Sequence, residues 1–512
     1  MKKLGELYLM FVPKIESVLD SISLKFVSAP VQKMLIDGQF VEAVSGKTME
    51  TLDPASRLKI TEFPRAGLQE VDLAVGAANR ALEDPSWSRM LPADRQKLLL
   101  DLADLIEKNG ETIANLETLD QGQPLWVAEM VQVNMAIDYV RYMAGWATKL
   151  HGESLDLSVR EPAGLNFQAY TRREPVGVVA AVVPWNFPHL MAIWKIIPAL
   201  ACGCTVILKP AEDTPLTALF LARLCQEAGF PPGVVNVITG TGSEVGAPLV
   251  SHKGVNKVAF TGSSETGKEI GKAAIENMTR FSLETGGKSP MLVLEDIDPD
   301  FLSPNAAMAT LFNSGQQCVA GSRIYLPKKR YDQYMDRLID MSNYLKTGSG
   351  FDRTVHLGPM VSKTHFEKVM GFIERSKDSG AKIEVGGHAV EGAKGYFIRP
   401  TVLTNVDHSF ECVNEEIFGP VITVMQYDDL DDLIAKSNDS KYGLSASIWS
   451  QNISKINMLI PRIKAGTVWV NCHSVFDANL PFGGRKLSGM GKEHGRNAIE
   501  LFTEEKAVCI AY

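Results

Sequence analysis

The hydrophobic positions follow a helical spacing over residues 94–108. The residues on one face of this stretch are Leu98, Leu102, Leu105 and Ile106. Asn109 and Gly110 come next and are typical of a helix end. The spacing predicts an amphipathic helix packed on a larger body, and helical patterns dominate up to about residue 149.

Between residues 174 and 286, short apolar runs alternate with helical patterns. The strand-like runs are Val176 to Val183, Thr205 to Leu208, Val234 to Ile238 and Lys257 to Phe260. The helical stretches are Met191 to Ala201, Leu216 to Ala228 and Glu244 to Val250. This alternation predicts a parallel sheet covered on both faces by helices. A second α/β alternation begins after Gly286-Gly287, and we expect a domain boundary there.

Length and charge narrow the classes of protein. A chain of 512 residues is too long for one hydrophobic core, so we expect two or three domains. The net charge of -8 argues against nucleic acid, which needs a basic face. No apolar run approaches the ~18 residues of a membrane span. The amphipathic start lacks a signal-peptide cleavage site, which favours a cytoplasmic protein without a membrane partner.

The seven cysteines are odd in number and sparsely placed, which argues against a disulfide framework. Cys202 and Cys204 lie in an apolar run, where buried thiols are expected rather than metal ligands. No group of His and Cys residues has zinc spacing, and we predict no metal. Cys318 differs from the others because the small and amide residues around it, NSGQQ and AGSR, predict an accessible thiol in a turn.

Each predicted strand of residues 174–286 is followed by a polar or glycine-rich turn. These turns are Pro184 to Pro188, Lys209 to Glu212, Gly240 to Gly246 and Thr261 to Gly267. Ligands of parallel sheets bind at the carboxyl ends of the strands, so we predict a dinucleotide there. Gly242 and Gly246 belong to a loose glycine pattern, and Ser263 precedes a helix whose first N–H groups can bind phosphate.

Lys209 and Glu212 suit the hydroxyls of a ribose, with an ammonium donor beside a carboxylate acceptor. A carboxylate would repel a 2′-phosphate, so Glu212 favours NAD over NADP. A surface ion pair is the alternative interpretation. Glu284 ends an apolar run before Thr-Gly-Gly, where it is a candidate general base; a helix cap or solvated turn is the alternative.

Seven motifs in order along the chain resemble the aldehyde dehydrogenase superfamily. They are VVPWNFP at Val182, LKPAEDTP at Leu208, FTGSSETG at Phe260, LETGGKSP at Leu283, GQQC at Gly315, EEIFGPV at Glu415 and NLPFGGRKLSG at Asn479. The resemblance extends from about residue 35 to the C-terminus. It implies an α/β fold with a Rossmann-type cofactor domain, an α/β catalytic domain and a small β-arm for oligomerisation.

The resemblance also implies roles for individual residues. Cys318 matches the family's nucleophile, Asn186 its oxyanion-binding amide and Glu284 the base that hydrolyses the thioester. The product is then a free carboxylic acid rather than an acyl-CoA. The residues that match cofactor contacts are Trp185, Lys209, Glu212, Ser263, Glu416 and Phe418. Lys195 matches a lysine near the family's active site, with a purely structural role as the alternative.

The substrate is an aldehyde, and the resemblance places the walls of its tunnel. They are formed by Phe187, Met191, Trp194, Phe476 and Phe482, with Gln317 and Val319 beside Cys318. Aromatic and thioether side chains predict a non-polar slot for an aryl or alkyl aldehyde. The spacing of Phe187, Met191 and Trp194 fits core packing equally well. The segment NCHSVFDANLPFGGRKLSG resembles bacterial phenylacetaldehyde dehydrogenases.

We therefore predict a leader helix over residues 1–24 and an NAD-binding domain over 25–154 and 174–286. The catalytic domain covers 287–498, and the oligomerisation arm covers 155–173 and 499–512. A two-stranded arm is unstable alone, so we expect it to pair with another subunit in a dimer or tetramer. A cysteine thioesterase or esterase using Cys318, an aliphatic-aldehyde dehydrogenase and a non-catalytic descendant of the fold are the rival interpretations.

Overall fold

The computed structural model describes residues 14–160 and 164–512. Residues 1–13 of the predicted leader helix and residues 161–163 of the predicted arm lie outside the described residues. The described part of the leader holds the helix Ser21–Val27, where Asp20 caps the N-terminus by accepting a hydrogen bond from the Ser23 N–H at 2.6 Å. Phe26 and Val27 are buried in the core, so this helix is packed on the body of the protein.

The predicted parallel sheet is present, and it is doubly wound. From one edge to the other its eight strands are Gln39–Val41, Met34–Ile36, Val235–Val237, Thr205–Lys209, Val178–Val182, Lys257–Gly262, Arg280–Thr285 and Gly489–Met490. The five central strands are parallel. The chain runs outward from Val178–Val182 in one direction and then returns to Lys257–Gly262 on its other side. The strand order therefore reverses between these two neighbours, where such sheets bind ligands.

Helices cover both faces of this sheet because their apolar stripes need burial. In chain order they are Leu68–Glu83, Pro85–Ser88, Pro92–Lys108, Gly110–Asp120, Leu125–Val127, Ala136–Ala144, Pro188–Ala201, Leu216–Ala228, Ala247–Val250 and Ser264–Glu276, with π-helical turns at Ala128–Met135 and Gly242–Gly246. The helix predicted over 94–108 begins two residues earlier, at Pro92, because proline is well tolerated in the first turn.

The second α/β alternation forms a separate seven-stranded sheet. Its strands in order are Lys382–Val385, Thr401–Thr404, Val421–Tyr427, Arg323–Pro327, Pro290–Val293, Ser445–Trp449 and Thr467–Val470. The helices of this part are Pro299–Leu311, Tyr331–Tyr344, Lys363–Asp378, Glu411–Asn414, Leu430–Asn438 and Ile453–Leu459. The helix Gly495–Leu501 packs instead on Pro188–Ala201 and on the C-terminal strand Thr503–Ala511. The strand Gly489–Met490 returns from this part of the chain to pair with Leu283 and Glu284 of the first sheet, which ties the two sheets together.

The arm differs from the two-stranded hairpin that the sequence predicts within residues 155–173. It is a three-stranded antiparallel sheet in the order Thr503–Ala511, Phe167–Pro175 and Ser154–Leu155. The C-terminal strand takes nine residue pairs with Phe167–Pro175, whereas Ser154–Leu155 takes only two. This long partner lies within residues 499–512, which were also predicted to belong to the arm.

The remaining strands form two small antiparallel ladders, Thr48–Leu52 with Lys59–Pro64 and Tyr442–Gly443 with Arg485–Lys486. Among the described residues, no helix has the length and apolar character required to cross a bilayer.

Candidate active site

A cavity of about 460 Å³ opens at the carboxyl ends of the first sheet's strands and continues between the two sheets. Its volume is in the usual range of small-molecule sites. Fourteen of the eighteen predicted site residues line it. They are Trp185, Asn186, Phe187, Met191, Trp194, Ser263, Glu284, Gln317, Cys318, Val319, Glu416, Phe418, Phe476 and Phe482. These residues lie up to 297 positions apart in the sequence and line one cavity.

A strained turn presents Cys318 to this cavity. Asn313, Ser314 and Gly315 have φ angles of 49°, 56° and 73°, three successive left-handed residues. Gly315 is required here because a Cβ would lie 2.0 Å from the carbonyl oxygen of Gly419. The Asn313 side chain holds the turn by donating from Nδ2 to the backbone oxygen of Asn186 at 2.9 Å. Such strain persists only where surrounding contacts impose it.

Asn186 is buried on the turn that follows the strand Val178–Val182. Its Nδ2 donates to the Gln316 carbonyl at 3.1 Å, two residues before Cys318. An amide NH₂ carries two hydrogens, so the second donor of Asn186 is available to a ligand in the cavity.

Burial and two nearby carboxyls control the ionisation of Cys318. Desolvation first, then the charges of Glu416 and Glu284, raise the pKa of the Cys318 thiol to about 12. The thiol is therefore protonated at neutral pH and needs an acceptor for its proton when it reacts.

Glu284 is buried, and neither of its carboxyl oxygens has a hydrogen-bond partner among the described residues. Burial raises its pKa well above the ordinary value, and the neighbouring Glu493 adds to this, while Lys195 and Lys492 oppose it. A carboxyl of this kind is uncharged at neutral pH and can exchange protons with water admitted to the cavity.

Lys195 forms a buried ion pair with Glu493, and Glu493 itself lines the cavity. Lys195 has 0% exposure, so its charge is balanced by this carboxylate rather than by water. The sequence left a site role and a structural role open for Lys195. In the structure Lys195 does not line the cavity, but it contacts Glu493, which does.

A second end of the cavity is lined by Glu416, Phe418 and Trp185. Glu416 accepts a hydrogen bond from the Gly287 N–H at 2.8 Å, and burial raises its pKa to about 7. Gly286 lies against the same carboxyl, where a Cβ would come within 2.0 Å of Oε2. The Trp185 and Phe418 rings meet edge to face with centroids 5.2 Å apart.

The other four predicted cofactor residues lie together at a neighbouring place, outside the cavity wall. Lys209 and Glu212 approach to 3.7 Å, and Lys209 is 4% exposed, so the pair is not the surface ion pair of the alternative interpretation. Glu212 accepts from the Gly242 N–H at 2.5 Å. Gly246 lies against Lys209, since a Cβ there would be 3.7 Å from Cδ. The arrangement presents an ammonium and a carboxylate beside a glycine turn.

Ser263 caps the helix Ser264–Glu276, and its hydroxyl accepts from the Thr266 N–H at 3.2 Å. The cavity thus has a helix N-terminus beside it, where partial positive charge favours a phosphate. Together with the reversal of strand order and the glycine turns that approach Glu212 and Glu416, these residues fit a dinucleotide.

The opposite end of the cavity is aromatic. Phe187 stacks with Phe312 at 6.3 Å and an interplanar angle of 25°. The centroid of the Trp194 ring lies 5.8 Å from that of Phe476 and 6.1 Å from that of Phe482. Phe187, Met191 and Trp194 line the cavity and also pack in the hydrophobic core, so the structure is compatible with both interpretations of their helical spacing. The Gln317 amide is engaged with the Ala309 carbonyl at 3.0 Å.

Several residues of the cavity wall were not predicted from the sequence. Met130 and Met135 come from the π-helical stretch Ala128–Met135, and His365 comes from the helix Lys363–Asp378. Only Phe312 could have been found, because it directly precedes the NSGQQC turn. Among the described residues, no group of three His, Cys, Asp or Glu side chains could hold a metal ion.

The chain was compared with known proteins. Residues 40–508 match the model of the aldehyde dehydrogenase family. The chain is 47% identical over 481 residues to phenylacetaldehyde dehydrogenase of Pseudomonas fluorescens, covering 94% of this chain and 96% of the relative. It is 43% identical over 480 residues to the mitochondrial aldehyde dehydrogenase of Homo sapiens, covering 93% and 92%.

Among solved structures, the NAD+ complex of aldehyde dehydrogenase from Bacillus cereus superimposes with a TM-score of 0.92 at 43% identity. The match covers 98% of this chain and 99% of that structure. The family and fold implied by the seven motifs are confirmed. The chain belongs to the aldehyde dehydrogenase family, whose members oxidise aldehydes with a nicotinamide dinucleotide.

Proposed function

We propose that this enzyme oxidises an aromatic aldehyde, such as phenylacetaldehyde, to the carboxylic acid with NAD+ and water. The observation that carries the proposal is one cavity holding a thiol, an amide donor and a buried carboxyl, closed at one end by aromatic rings. The Pseudomonas fluorescens relative is named for phenylacetaldehyde, which supports the same substrate class.

In the proposed reaction, the Cys318 thiol gives its proton to water in the cavity, and the sulfur adds to the aldehyde carbon to form a thiohemiacetal with an anionic oxygen. The free Nδ2 hydrogen of Asn186 and the backbone N–H of Cys318 stabilise the oxygen as it becomes negative. The strained turn at 313–315 contributes by holding this donor and the sulfur in one orientation.

NAD+, when bound, supplies the hydride acceptor that converts the thiohemiacetal into a thioester on Cys318. Glu284 then takes a proton from water, which attacks the thioester carbon and releases the acid and the Cys318 thiol. The raised pKa of Glu284 makes it a stronger base once ionised.

Eight residues are proposed to hold the cofactor. Glu416, Phe418 and Trp185 would contact the nicotinamide half, and Ser263 the pyrophosphate. Lys209 and Glu212 would contact the adenosine ribose, with Gly242 and Gly246 leaving room for it. Glu212 would repel a 2′-phosphate, which favours NAD+ over NADP+.

The aromatic and thioether side chains at the aromatic end of the cavity support an aromatic substrate. Its walls are Phe187, Met191, Trp194, Phe476 and Phe482, flanked by Gln317 and Val319. Aromatic pairs gain stability in edge-to-face and offset contacts, which a phenyl ring on the substrate would extend.

The test is to compare kcat/KM for phenylacetaldehyde, hexanal and betaine aldehyde from NADH absorbance, with NADP+ as the control cofactor. We expect the order phenylacetaldehyde, hexanal, betaine aldehyde. A preference for the charged substrate would contradict the aromatic proposal, and a preference for hexanal would favour an aliphatic-aldehyde dehydrogenase. Turnover of an ester at the same rate without NAD+ would favour a cysteine esterase.

We also propose a homo-oligomer, a dimer or tetramer, assembled through the arm. The edges of its three-stranded sheet carry unpaired backbone groups, and Leu155, Leu165 and Ile510 expose 39%, 45% and 44% of their surface. Exposed edges and apolar side chains favour pairing with a second copy. The seven cysteines are free thiols, which supports the proposed cytoplasmic location.

A further inference from the structure

His494 lies directly behind the aromatic end of the cavity. It is 1% exposed. Its ring meets the Trp194 indole edge to face, with centroids 4.2 Å apart and an interplanar angle of 86°. The rings of Tyr139 and Phe482 also contact His494, with centroids 5.2 Å and 6.0 Å from the imidazole centroid. Trp194 is thus supported by His494 on the side away from the substrate space.

The same imidazole holds the segment that carries Phe476. His494 Nδ1 lies 3.2 Å from the carbonyl oxygen of Asp477. A carbonyl only accepts, so the hydrogen is on Nδ1 and the imidazole donates it. Burial lowers the pKa of His494 to about 4, so the ring is neutral at pH 7. The neighbouring Gly495 N–H donates to the Ala478 carbonyl at 2.7 Å and strengthens this contact.

The backbone of His494 is unusual for its residue type. Its φ is +67° and its ψ is 163°, a combination adopted almost only by glycine. Two reciprocal backbone hydrogen bonds of 2.7 Å between Phe482 and Glu493 hold the segment in place just before it. Residues held in strained backbone conformations cluster at functional sites, and this one lies next to a wall of the cavity.

We propose that His494 is a positioning residue for substrate selection. Its ring fixes the indole of Trp194, and its Nδ1–H fixes the segment 473–480 and with it Phe476. One side chain thereby sets two walls of the substrate space and their separation. The proposal rests on the proposed function, because it assigns the cavity's aromatic end to the substrate.

Two variants separate the two contacts. His494→Phe keeps a ring against Trp194 and removes the donor to Asp477. His494→Asn keeps a donor but removes the ring. We expect each variant to change the ratio of kcat/KM for phenylacetaldehyde to that for hexanal by roughly three- to tenfold, as a change in pocket fit does. The Kd of NAD+, measured by tryptophan fluorescence quenching, should not change.

A double-mutant cycle with Trp194→Phe tests whether His494 acts through the indole. If it does, His494→Asn changes the ratio much less in the Trp194→Phe background than in the wild type. Full additivity would overturn the proposal, and so would an unchanged ratio in both single variants. His494→Gln replaces a variant that does not fold; loss of folding in all three would show a purely structural role and also overturn it.

These outcomes are distinct from failure of the proposed function. A wild-type enzyme that prefers hexanal contradicts the aromatic substrate. The ratio can still be followed in the variants, and its change reports on His494 whichever aldehyde is preferred.

Discussion

Burial holds the Cys318 thiol and the Glu284 carboxyl in their uncharged forms. The negative charges of Glu284 and Glu416 both raise the pKa of the Cys318 thiol. Two acidic groups at one largely buried site cannot both be charged without a large electrostatic cost. Their protonation is therefore coupled, and loss of one negative charge makes it easier for the other group to ionise.

We predict that Asn186→Ala lowers kcat by roughly 10²–10³, because one oxyanion donor is lost. The Kd of NAD+ should change little. Stopped-flow NADH absorbance and fluorescence quenching measure the two quantities. Asn305→Ala is the matched control: it removes another amide of the cavity wall, whose Nδ2 is engaged with the Phe301 carbonyl at 2.7 Å. Equal losses of kcat and NAD+ binding in Asn186→Ala would contradict the role.

We predict that Glu284→Gln slows thioester hydrolysis by roughly 10²–10⁴, the usual contribution of a general base. The first turnover should still produce a burst of NADH, because the base acts after it. In the wild type, the raised pKa of Glu284 moves its ionisation to higher pH. The fraction of the basic carboxylate, and with it kcat, should therefore increase toward alkaline pH. The variant should lack this increase; a pH profile parallel to the wild type would argue against Glu284 as the base.

At the scale of elements, the helix Gly110–Asp120 carries a carboxyl that is also buried. Glu117 accepts hydrogen bonds from the His189 N–H at 2.8 Å, the Thr217 hydroxyl at 2.6 Å and the Gln123 amide at 2.9 Å. These contacts join three helical segments beneath the cavity. Burial outweighs them and raises the pKa of Glu117 from 4.5 to about 8.

The raised pKa predicts how stability depends on pH. Between pH 4.5 and about 8, folded Glu117 holds a proton that the unfolded chain has lost. The wild type therefore loses up to about 1.4 kcal/mol of stability per pH unit as pH rises through this window. Glu117→Gln has no such proton. Its Tm relative to the wild type should rise from pH 5.5 to 7.5, measured by differential scanning fluorimetry.

A Tm difference that stays constant between these two pH values would contradict a buried proton on Glu117. Glu111→Gln is the matched control, since Glu111 is an exposed acid in the first turn of the same helix.

At the scale of the whole molecule, the arm binds the C-terminus to a segment more than three hundred residues earlier. Removal of residues 504–512 should leave Phe167–Pro175 without its main partner and lower the oligomer mass, measured by light scattering after gel filtration. Arg173→Gln is the control: its ion pair with Glu505 is 3.3 Å long and partly exposed, and such a pair contributes only about 0–1 kcal/mol. An unchanged mass in the truncated protein would show that assembly uses another surface.

Local patterns predicted the elements of the first sheet closely. The helix Leu216–Ala228 has the predicted bounds, because Gly229 adopts a left-handed φ of 92° and ends it. Strand ends differ by one or two residues, since hydrogen bonding across the sheet extends or shortens them. The strands Met34–Ile36, second from one edge, and Gly489–Met490, at the other edge, were not foreseen, because the central strands with which they pair lie about 200 residues away.

The residue types around the site were determined by the sequence alone: a cysteine in a turn of small residues, an asparagine after a strand, and a glutamate before two glycines. Their order in motifs was sufficient for the family. Tertiary structure decided which residues share a cavity. The predicted residues Lys209 and Glu212 lie beside it, whereas Phe312, Met130 and His365, which were not predicted, line it. It also decided ionisation, because desolvation and charge pairing arise only when distant segments exclude water together.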